Sequence, residues 1–340
     1  MTSFFIILEI ILKSTKRAMI NMMNRRYPLF ILTKAIRNWF EKNQFLETIT
    51  PPLVENPGME THIHPFQVRS VYKDQNLDKY LHTSPEFYMK ELLSQGFEKI
   101  YNLSYCFRDE PNSSTHRYQF LMLEWYRANE KYITIMDDVE SLFIHCHDFL
   151  NREKIKTRQF DTINFQRKTV REIFKEFLDI DLYKILTVKE IKSYIINKHT
   201  DIHIPDQDLE WDDYYFLLFL NKIEPRIKDI PFILIYEFPY QLSALSTIKI
   251  DDSNVCERFE VYAYGNEICN CFNELTELDL QKDRFKKQEC LKRKLYNYEL
   301  PNPNVLYDSL QSGLPNSSGI ALGVERLLMS LTDTDNPFFN

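Results

Sequence analysis

Ser318-Gly319-Ile320-Ala321-Leu322-Gly323-Val324-Glu325-Arg326-Leu327-Leu328-Met329 is the stretch on which the reading of this chain turns. Two glycines four residues apart lead into an apolar run with an arginine near its start. The pattern suits a strand whose bare backbone approaches another group, followed by a helix that aims a cation at a phosphate. A glycine pair alone fits a packing turn equally well, so the upstream sequence has to decide. Glycine occurs only at positions 58, 96, 265, 313, 319 and 323. That is well below average usage, so the glycines that remain are expected where a side chain is hard to fit, and three of the six fall between 313 and 323.

Working back, Arg258 to Tyr264 and Glu267 to Glu274 read as strands joined by the turn Gly265-Asn266. This turn pairs Tyr264 with Glu267 and Glu260 with Cys271, and alternation sets Glu260 and Glu267 on one face. Two like charges there call for a cation, as when carboxylates hold Mg²⁺ on nucleotide phosphates; two solvated glutamates are the alternative. Alternation puts Asn270, Phe272 and Glu274 on the opposite face, so a bulge is required if they serve the same pocket.

Further upstream, Lys99 to Arg108 and Phe120 to Arg127 are strand-like runs joined by a polar loop, Asp109 to Gln119. Phe107-Arg108-Asp109-Glu110 places a cation and two carboxylates at a strand end, facing Phe120-Leu121-Met122-Leu123-Glu124-Trp125-Tyr126. An arginine fork there can hold a phosphate and an aromatic ring can stack on a base; a surface ion pair is the plainer reading. Ser84-Pro85-Glu86 opens a helix, with Ser84 as N-cap and Pro85 in the first turn. Other helices are expected over Leu29 to Phe45, Ile133 to Phe149 and Glu277 to Leu295, with helical excursions between 150 and 225 and a buried strand over Pro231 to Tyr236.

Taken together and in this order, these segments resemble motifs 2 and 3 of the class II aminoacyl-tRNA synthetases, in the lysyl branch. Within that branch they are most similar to the freestanding elongation factor P (R)-β-lysine ligase family. The resemblance runs from about Tyr27 to Met329 and is strongest in Thr83 to Lys90, Phe107 to Tyr126, Arg258 to Thr276 and Gly313 to Met329. It implies an α+β fold with a mainly antiparallel sheet flanked by helices, and a homodimer through the region Phe45 to Pro52. It implies ATP as co-substrate, Mg²⁺, (R)-β-lysine as donor and elongation factor P as acceptor partner.

The resemblance also implies roles. Arg108 and Arg326 are the catalytic cations, Arg108 on the α-phosphate and Arg326 with His116 on the outer phosphates. Glu110 reads the adenine amino group, Phe120 stacks on the base, and Asp109, Ile268 and Gly323 lie beside the nucleotide. Glu260 and Glu267 hold Mg²⁺. Ser84, Pro85, Glu86, Glu124, Tyr126, Asn270, Glu274 and Ala321 form the amino-acid site, whose carboxylates suit a substrate with two ammonium groups. The substrate carboxylate is itself the nucleophile in activation, so that step needs positioning and electrostatics, not a base. Lysyl-tRNA synthetases carry a third glycine where this chain has Ala321 and an alanine where it has Ser84. The methyl of Ala321 would crowd an α-amino group, whereas β-lysine carries its amino group one carbon further along.

Some positions depart from the family pattern. Arg117-Tyr118-Gln119 replaces the usual Asn-Pro-Glu, Cys271 replaces a glycine, and His62 stands where paralogues have Asp. A lysine-activating tRNA synthetase-like enzyme and a non-catalytic ligand-binding paralogue are the rival readings; the retained Arg108, Glu260, Glu267 and Arg326 argue against the second.

Composition sets outer bounds. Hydrophobic residues make up 44% and charged residues 27% of the 340 residues, which excludes a disordered chain. A formal charge of -7 argues against extended contact with a phosphate backbone, so no stable nucleic acid partner is expected. Residues 1–26 read as an N-terminal extension and 27–340 as one catalytic domain, with no room for an anticodon-binding domain. The apolar run Phe4 to Leu12 is too short to span a membrane, which takes roughly 20 residues. The basic cluster Lys13, Lys16, Arg17, Arg25 and Arg26 reads as a solvated face. Six cysteines without a CxxC pair read as reduced thiols, and the expected location is the cytoplasm.

Overall fold

Leu29, Leu32, Ala35, Ile36 and Phe40 recur at three- and four-residue spacing and are all buried on one side of the helix Tyr27–Lys42 (α1) in the computed structural model. The structure describes residues 26–113, 116–160, 162–334 and 336–339. The readings for the extension, its apolar run and nearly all of its basic cluster lie outside the described residues.

After α1 come two short strands, Leu46–Glu47 (β1) and Leu53–Val54 (β2), and a hairpin, Gln67–Ser70 (β3) and Gln75–Leu81 (β4). The helix Glu86–Ser94 (α2) leads to the long strands Lys99–Phe107 (β5) and Gln119–Ala128 (β6), then to the helix Tyr132–Arg152 (α3). The middle of the chain holds Gln166–Thr169 (β7), Val170–Leu178 (α4), Val188–Lys198 (α5), Trp211–Leu218 (α6) and Glu224–Ile227 (α7). The last part holds Ile233–Pro239 (β8), Val255–Ala263 (β9), Asn266–Asn273 (β10), Leu278–Tyr296 (α8), Asn304–Gln311 (α9), Ser317–Gly323 (β11) and Val324–Leu331 (α10). Among the described residues no helix is long and apolar enough to cross a membrane.

One eight-stranded sheet organises the molecule, in the order β1-β5-β6-β11-β10-β9-β8-β7, while β2, β4 and β3 form a second, small sheet. The outermost pairs of the large sheet, β1 with β5 and β7 with β8, are parallel, and the six strands between are antiparallel. This is the α+β architecture expected from the motifs.

The period of two along each strand assigns its faces. Leu123, Trp125, Leu322, Phe259 and Val261 join α1, α3 and α10 in one continuous core. Each large apolar side chain fully withdrawn from water there contributes about 1.5–3 kcal/mol. On the opposite face two separate clusters form. Helices α4 to α6 cover the β8 end through Phe174, Ile195, Tyr215 and Leu218 against Ile233 and Ile235. Helices α2, α8 and α9 cover the β5 end through Phe87, Met89, Phe285 and Leu306 against Ile100 and Tyr126. Capping boxes from Thr169 with Glu172 and Thr187 with Glu190 start α4 and α5. The middle of that face is left for the site.

Two local expectations are corrected. The β9–β10 turn is centred on Tyr264-Gly265, not Gly265-Asn266: Ala263 pairs with Asn266, and Tyr264 (φ 51°) and Gly265 (φ 77°) both adopt positive φ, as a two-residue hairpin turn requires. Glu267 therefore pairs with Tyr262, and Glu260 with Asn270 instead of Cys271. A register shift between Glu267 and Cys269 supplies the required bulge, so Glu267 shares a face with Asn270, Phe272 and Glu260. At α2 the cap position is Pro85, with Ser84 Oγ accepting from the Glu86 N–H at 3.3 Å.

Candidate functional site

The open face of the sheet is a set of rows running across four strands. Glu124 on β6 pairs with Ala321 on β11, Ala321 with Asn270 on β10, and Asn270 with Glu260 on β9. The next row runs Tyr126, Gly319, Phe272, Arg258. On the other side, Met122 pairs with Gly323 and Phe120 follows at the end of β6. Residues separated by as much as 201 positions in sequence, Met122 and Gly323, thus meet because antiparallel pairing sets them side by side.

These rows floor a cavity of about 430 Å³. Arg108, Glu110, His116, Phe120, Gly323 and Arg326 line one part of it. Ser84, Glu86, Glu124, Tyr126, Glu274 and Ala321 line the other, with Glu260, Glu267, Ile268 and Asn270 along the β9–β10 side. Of the residues singled out in the sequence, Pro85 and Asp109 stay outside the lining. Pro85 is occupied at the start of α2, and Asp109 donates its N–H to His64 O at 2.7 Å and lines a neighbouring groove.

In the basic half, the Arg108 guanidinium lies 5.2 Å from the Phe120 ring centroid. Its Nε is buried without an acceptor among the described residues, which is what a donor reserved for a ligand oxygen looks like. Arg326 is held by Nη1 donating to Glu267 O at 2.8 Å, while Nη2 stands 3.2 Å from His116 Nε2. Burial and the Arg326 charge lower the His116 pKa, which favours a neutral ring that accepts from that guanidinium. Glu325, one residue before, accepts the Leu121 N–H at 3.0 Å on both oxygens and so ties the start of α10 to β6 beside Phe120. Burial pushes its carboxyl up to about 7.

The acidic half has a feature the sequence reading missed. Lys90, four residues after Glu86 and therefore on the same face of α2, is buried and donates to Glu86 at 2.6 Å; its ammonium also pairs with Glu274 at 2.7 Å. Burial would lower its pKa, but Glu274 and Glu86 outweigh that and raise it. Glu124 has no cation at salt-bridge distance among the described residues: Tyr126 donates to it at 3.2 Å, and burial, then Glu86, raises its pKa. Burial pushes Glu274 up to about 7 despite Lys90. The spacing of Glu86 and Lys90 was the one signal that could have found Lys90; lysines on helices read as solvated.

On β9, Arg258 donates to Glu260 at 2.5 Å, Asn270 Oδ1 at 3.0 Å and Leu242 O at 3.0 Å, and Tyr262 donates to Glu260 at 2.6 Å. Burial, and the nearby Glu267 after the opposing effect of Arg258, raise Glu260. Two carboxylates on one sheet face fit a Mg²⁺ ion whose other ligands are substrate phosphates and water. Among the described residues no group of three or more His, Cys, Asp or Glu side chains could hold a metal alone.

Gly319 shows why this strand needs a glycine. A Cβ there would stand 2.1 Å from Tyr126 Cε1 and 2.5 Å from Glu274 Oε1, so the bare backbone admits the site's own side chains. At Gly323 a Cβ would meet only the Arg326 side chain, at 3.6 Å.

A family model described as "tRNA synthetases class II (D, K and N)" matches residues 9–336. A protein of Yersinia enterocolitica named elongation factor P–(R)-β-lysine ligase is 35% identical over 298 residues, covering 86% of each chain. Proteins of the same name from Edwardsiella ictaluri and Hamiltonella defensa are 32% identical, the first covering 88% and the second 90% of each chain.

Proposed function

Since the chain belongs to the class II tRNA synthetases of the D, K and N group, ATP-dependent amino-acid ligases, we propose that it activates (R)-β-lysine as an adenylate and transfers it to a lysine of elongation factor P. The observation that carries the donor half of this reading is the row Glu124, Ala321, Asn270 beside the Glu86, Lys90 and Glu274 triad. More carboxylates than cations converge at the amino-acid end, the charge pattern a diamine completes. The acceptor comes from the names of the relatives and agrees with the acidic charge of the chain.

In this reading Phe120 stacks on adenine and Glu110 reads its amino group. Arg108 holds the α-phosphate and neutralises charge as the substrate carboxylate attacks; Arg326 and His116 hold the outer phosphates until pyrophosphate leaves. Glu260 and Glu267 hold Mg²⁺, which when bound neutralises phosphate charge. Ser84, Glu86, Glu124, Tyr126, Asn270 and Glu274 orient the two ammonium groups, and Glu325 and Arg258 hold their neighbours in place. Leu46, Ile49 and Leu53 are exposed around edge strand β1 and would form the face of a homodimer.

Ala321 tests the donor. Its methyl group lies between Glu124 and Asn270, where a third glycine would leave room for an α-amino group. ATP–pyrophosphate exchange is expected to favour (R)-β-lysine over α-lysine, with Ala321→Gly narrowing that preference by about tenfold, equivalent to about 1.4 kcal/mol. A preference for α-lysine in the unaltered protein that persists in Ala321→Gly would sink this assignment.

A pH dependence follows from the carboxylates. A carboxyl whose pKa is raised stays protonated below about 7 and presents no charge to an ammonium group. The KM for the diamine is therefore expected to fall by up to about tenfold per pH unit as pH rises from 6 to 7, and then to level off. Calorimetry in buffers of different ionisation enthalpy should show proton release on binding near pH 7. A flat KM from pH 6 to 8 with no proton release would contradict the charge assignment.

A further inference from the structure

Glu60 is an acidic residue of the cavity that the roles above do not use. It lies in the segment leading away from β2 and lines the main cavity together with Arg108 and Glu86. The space around it exists because residue 58 is glycine. Gly58 has φ +140°, and a Cβ there would stand 2.8 Å from Glu60 Oε2 and 3.1 Å from Thr83 Oγ1.

The segment is fixed from behind by the far end of the chain. The Thr61 N–H donates to Gln288 Oε1 at 3.0 Å, and Lys292 Nζ donates to Ile63 O at 2.7 Å. His62 Nδ1 and His64 Nδ1 meet the hydroxyls of Tyr296 and Tyr298 at 2.8 and 2.7 Å. Partners from α8 and the residues just after it thus pin an irregular segment, and a side chain on it is held in place. The charged groups around Glu60 are Glu86 and Arg108 in the cavity wall and Lys292 on α8. Desolvation and then Glu86 raise the Glu60 pKa, while Arg108 and Lys292 oppose the rise. Four and five residues further along the segment, His64 and Pro65 wall a neighbouring groove of about 410 Å³, with Asp109, Glu110, Tyr118 and Tyr298. Glu60 thus lines the main cavity in company with Arg108 and Glu86, while Glu110 lines both that cavity and the neighbouring groove.

We propose that Glu60 is the general base of the transfer step, taking a proton from the ε-ammonium of the acceptor lysine as that nitrogen reaches the adenylate. The inference rests on the reading of the site given above and concerns its second half-reaction. Activation consumes a carboxylate and needs no base, but a lysine arrives as an ammonium ion and has no lone pair until a proton is removed. With that proton on Glu60, the nitrogen attacks the carbonyl carbon and the C–N bond forms. The bond from that carbon to the phosphate-bridging oxygen breaks, and AMP leaves with the oxygen and the electron pair. The second nitrogen proton passes to water as the amide forms, and Glu60 returns its proton to solvent.

The test is Glu60→Gln, read in three assays on the full-length protein: pyrophosphate exchange, single-turnover transfer from enzyme-bound adenylate to elongation factor P, and transfer to hydroxylamine, a nucleophile already neutral at pH 7. Exchange, which also certifies the fold, is expected to stay within a few-fold of the unaltered protein. Transfer to elongation factor P should fall by about a hundredfold, with a pH profile that follows the acceptor amine, while transfer to hydroxylamine changes little. Glu60→Asp should recover part of the loss. The proposal is overturned if exchange falls with transfer, if hydroxylamine loses as much as elongation factor P, or if transfer is unchanged. Absence of exchange in the unaltered protein would overturn both this proposal and the reading of the site.

Discussion

Arg108→Ala is expected to lower ATP–pyrophosphate exchange by about a thousandfold, the scale lost when one preorganised donor to a developing charge is removed. Arg108 lines the cavity, stacks near Phe120 and carries a buried Nε with no acceptor among the described residues. Truncation removes a cation whose side chain makes no hydrogen bond among the described residues, so the fold should tolerate it. The thermal midpoint should stay within a few degrees of the unaltered protein while exchange collapses. Arg108→Lys should recover little, because a point charge cannot reproduce a planar fork on a phosphate. Exchange within tenfold of the unaltered protein in Arg108→Ala would remove this residue from the reaction centre.

Gly319→Ala should be nearly as damaging to activity and more damaging to the fold. The new methyl would lie 2.1 and 2.4 Å from the Tyr126 ring and 2.5 Å from Glu274 Oε1. Tyr126 is only 3% exposed and packed, so it cannot swing aside cheaply. Overpacking of this kind costs about 1–3 kcal/mol, and whatever relief is found must move Tyr126 or Glu274, both in the amino-acid end of the cavity. Exchange should fall below about one per cent of normal, since misplacement by an ångström can cost a hundredfold. ATP binding, measured by calorimetry, should persist. Gly323→Ala is the control: its Cβ would meet ordinary contacts with a flexible arginine, and stability should be close to normal. Equal behaviour of the two alanines would show that Gly319 is not the close approach described.

The strand-turn-helix over 317–331 was legible because three independent signals coincide there: paired glycines, an apolar run and a cation in the first helical turn. The hairpin of β9 and β10 was legible as a hairpin but misread by one residue. Glycine marks the turn, yet sequence does not say whether Gly265 takes the first or second central position, and Tyr264 accepts positive φ without announcing it. The shift moves the partner of Glu267 by two residues, from Tyr264 to Tyr262, which is why Glu260 and Glu267 still share a face as expected, while the bulge after Glu267 brings Asn270 and Phe272 to that face. Lys90 and Glu60 were not found, for opposite reasons. Lys90 had a local signal, its four-residue spacing from Glu86, outweighed by the habit of lysines to face water. Glu60 had none, because its place is set by Gln288, Lys292, Tyr296 and Tyr298, more than 220 residues away.

The basic half and the acidic half of the cavity are built from the same strands, so in the proposed reading β-sheet pairing sets the nucleotide and the donor side by side. In that reading donor choice rests on one methyl group at Ala321 and on the carboxylates around Lys90.

The most direct test of the central claim is intact-mass analysis of purified elongation factor P after incubation with this protein, ATP, Mg²⁺ and each lysine isomer in turn. The account predicts a gain of one β-lysyl group on elongation factor P with (R)-β-lysine, dependent on ATP and lost in Arg108→Ala. No mass gain with any isomer, while tRNA is charged with lysine under the same conditions, would contradict it.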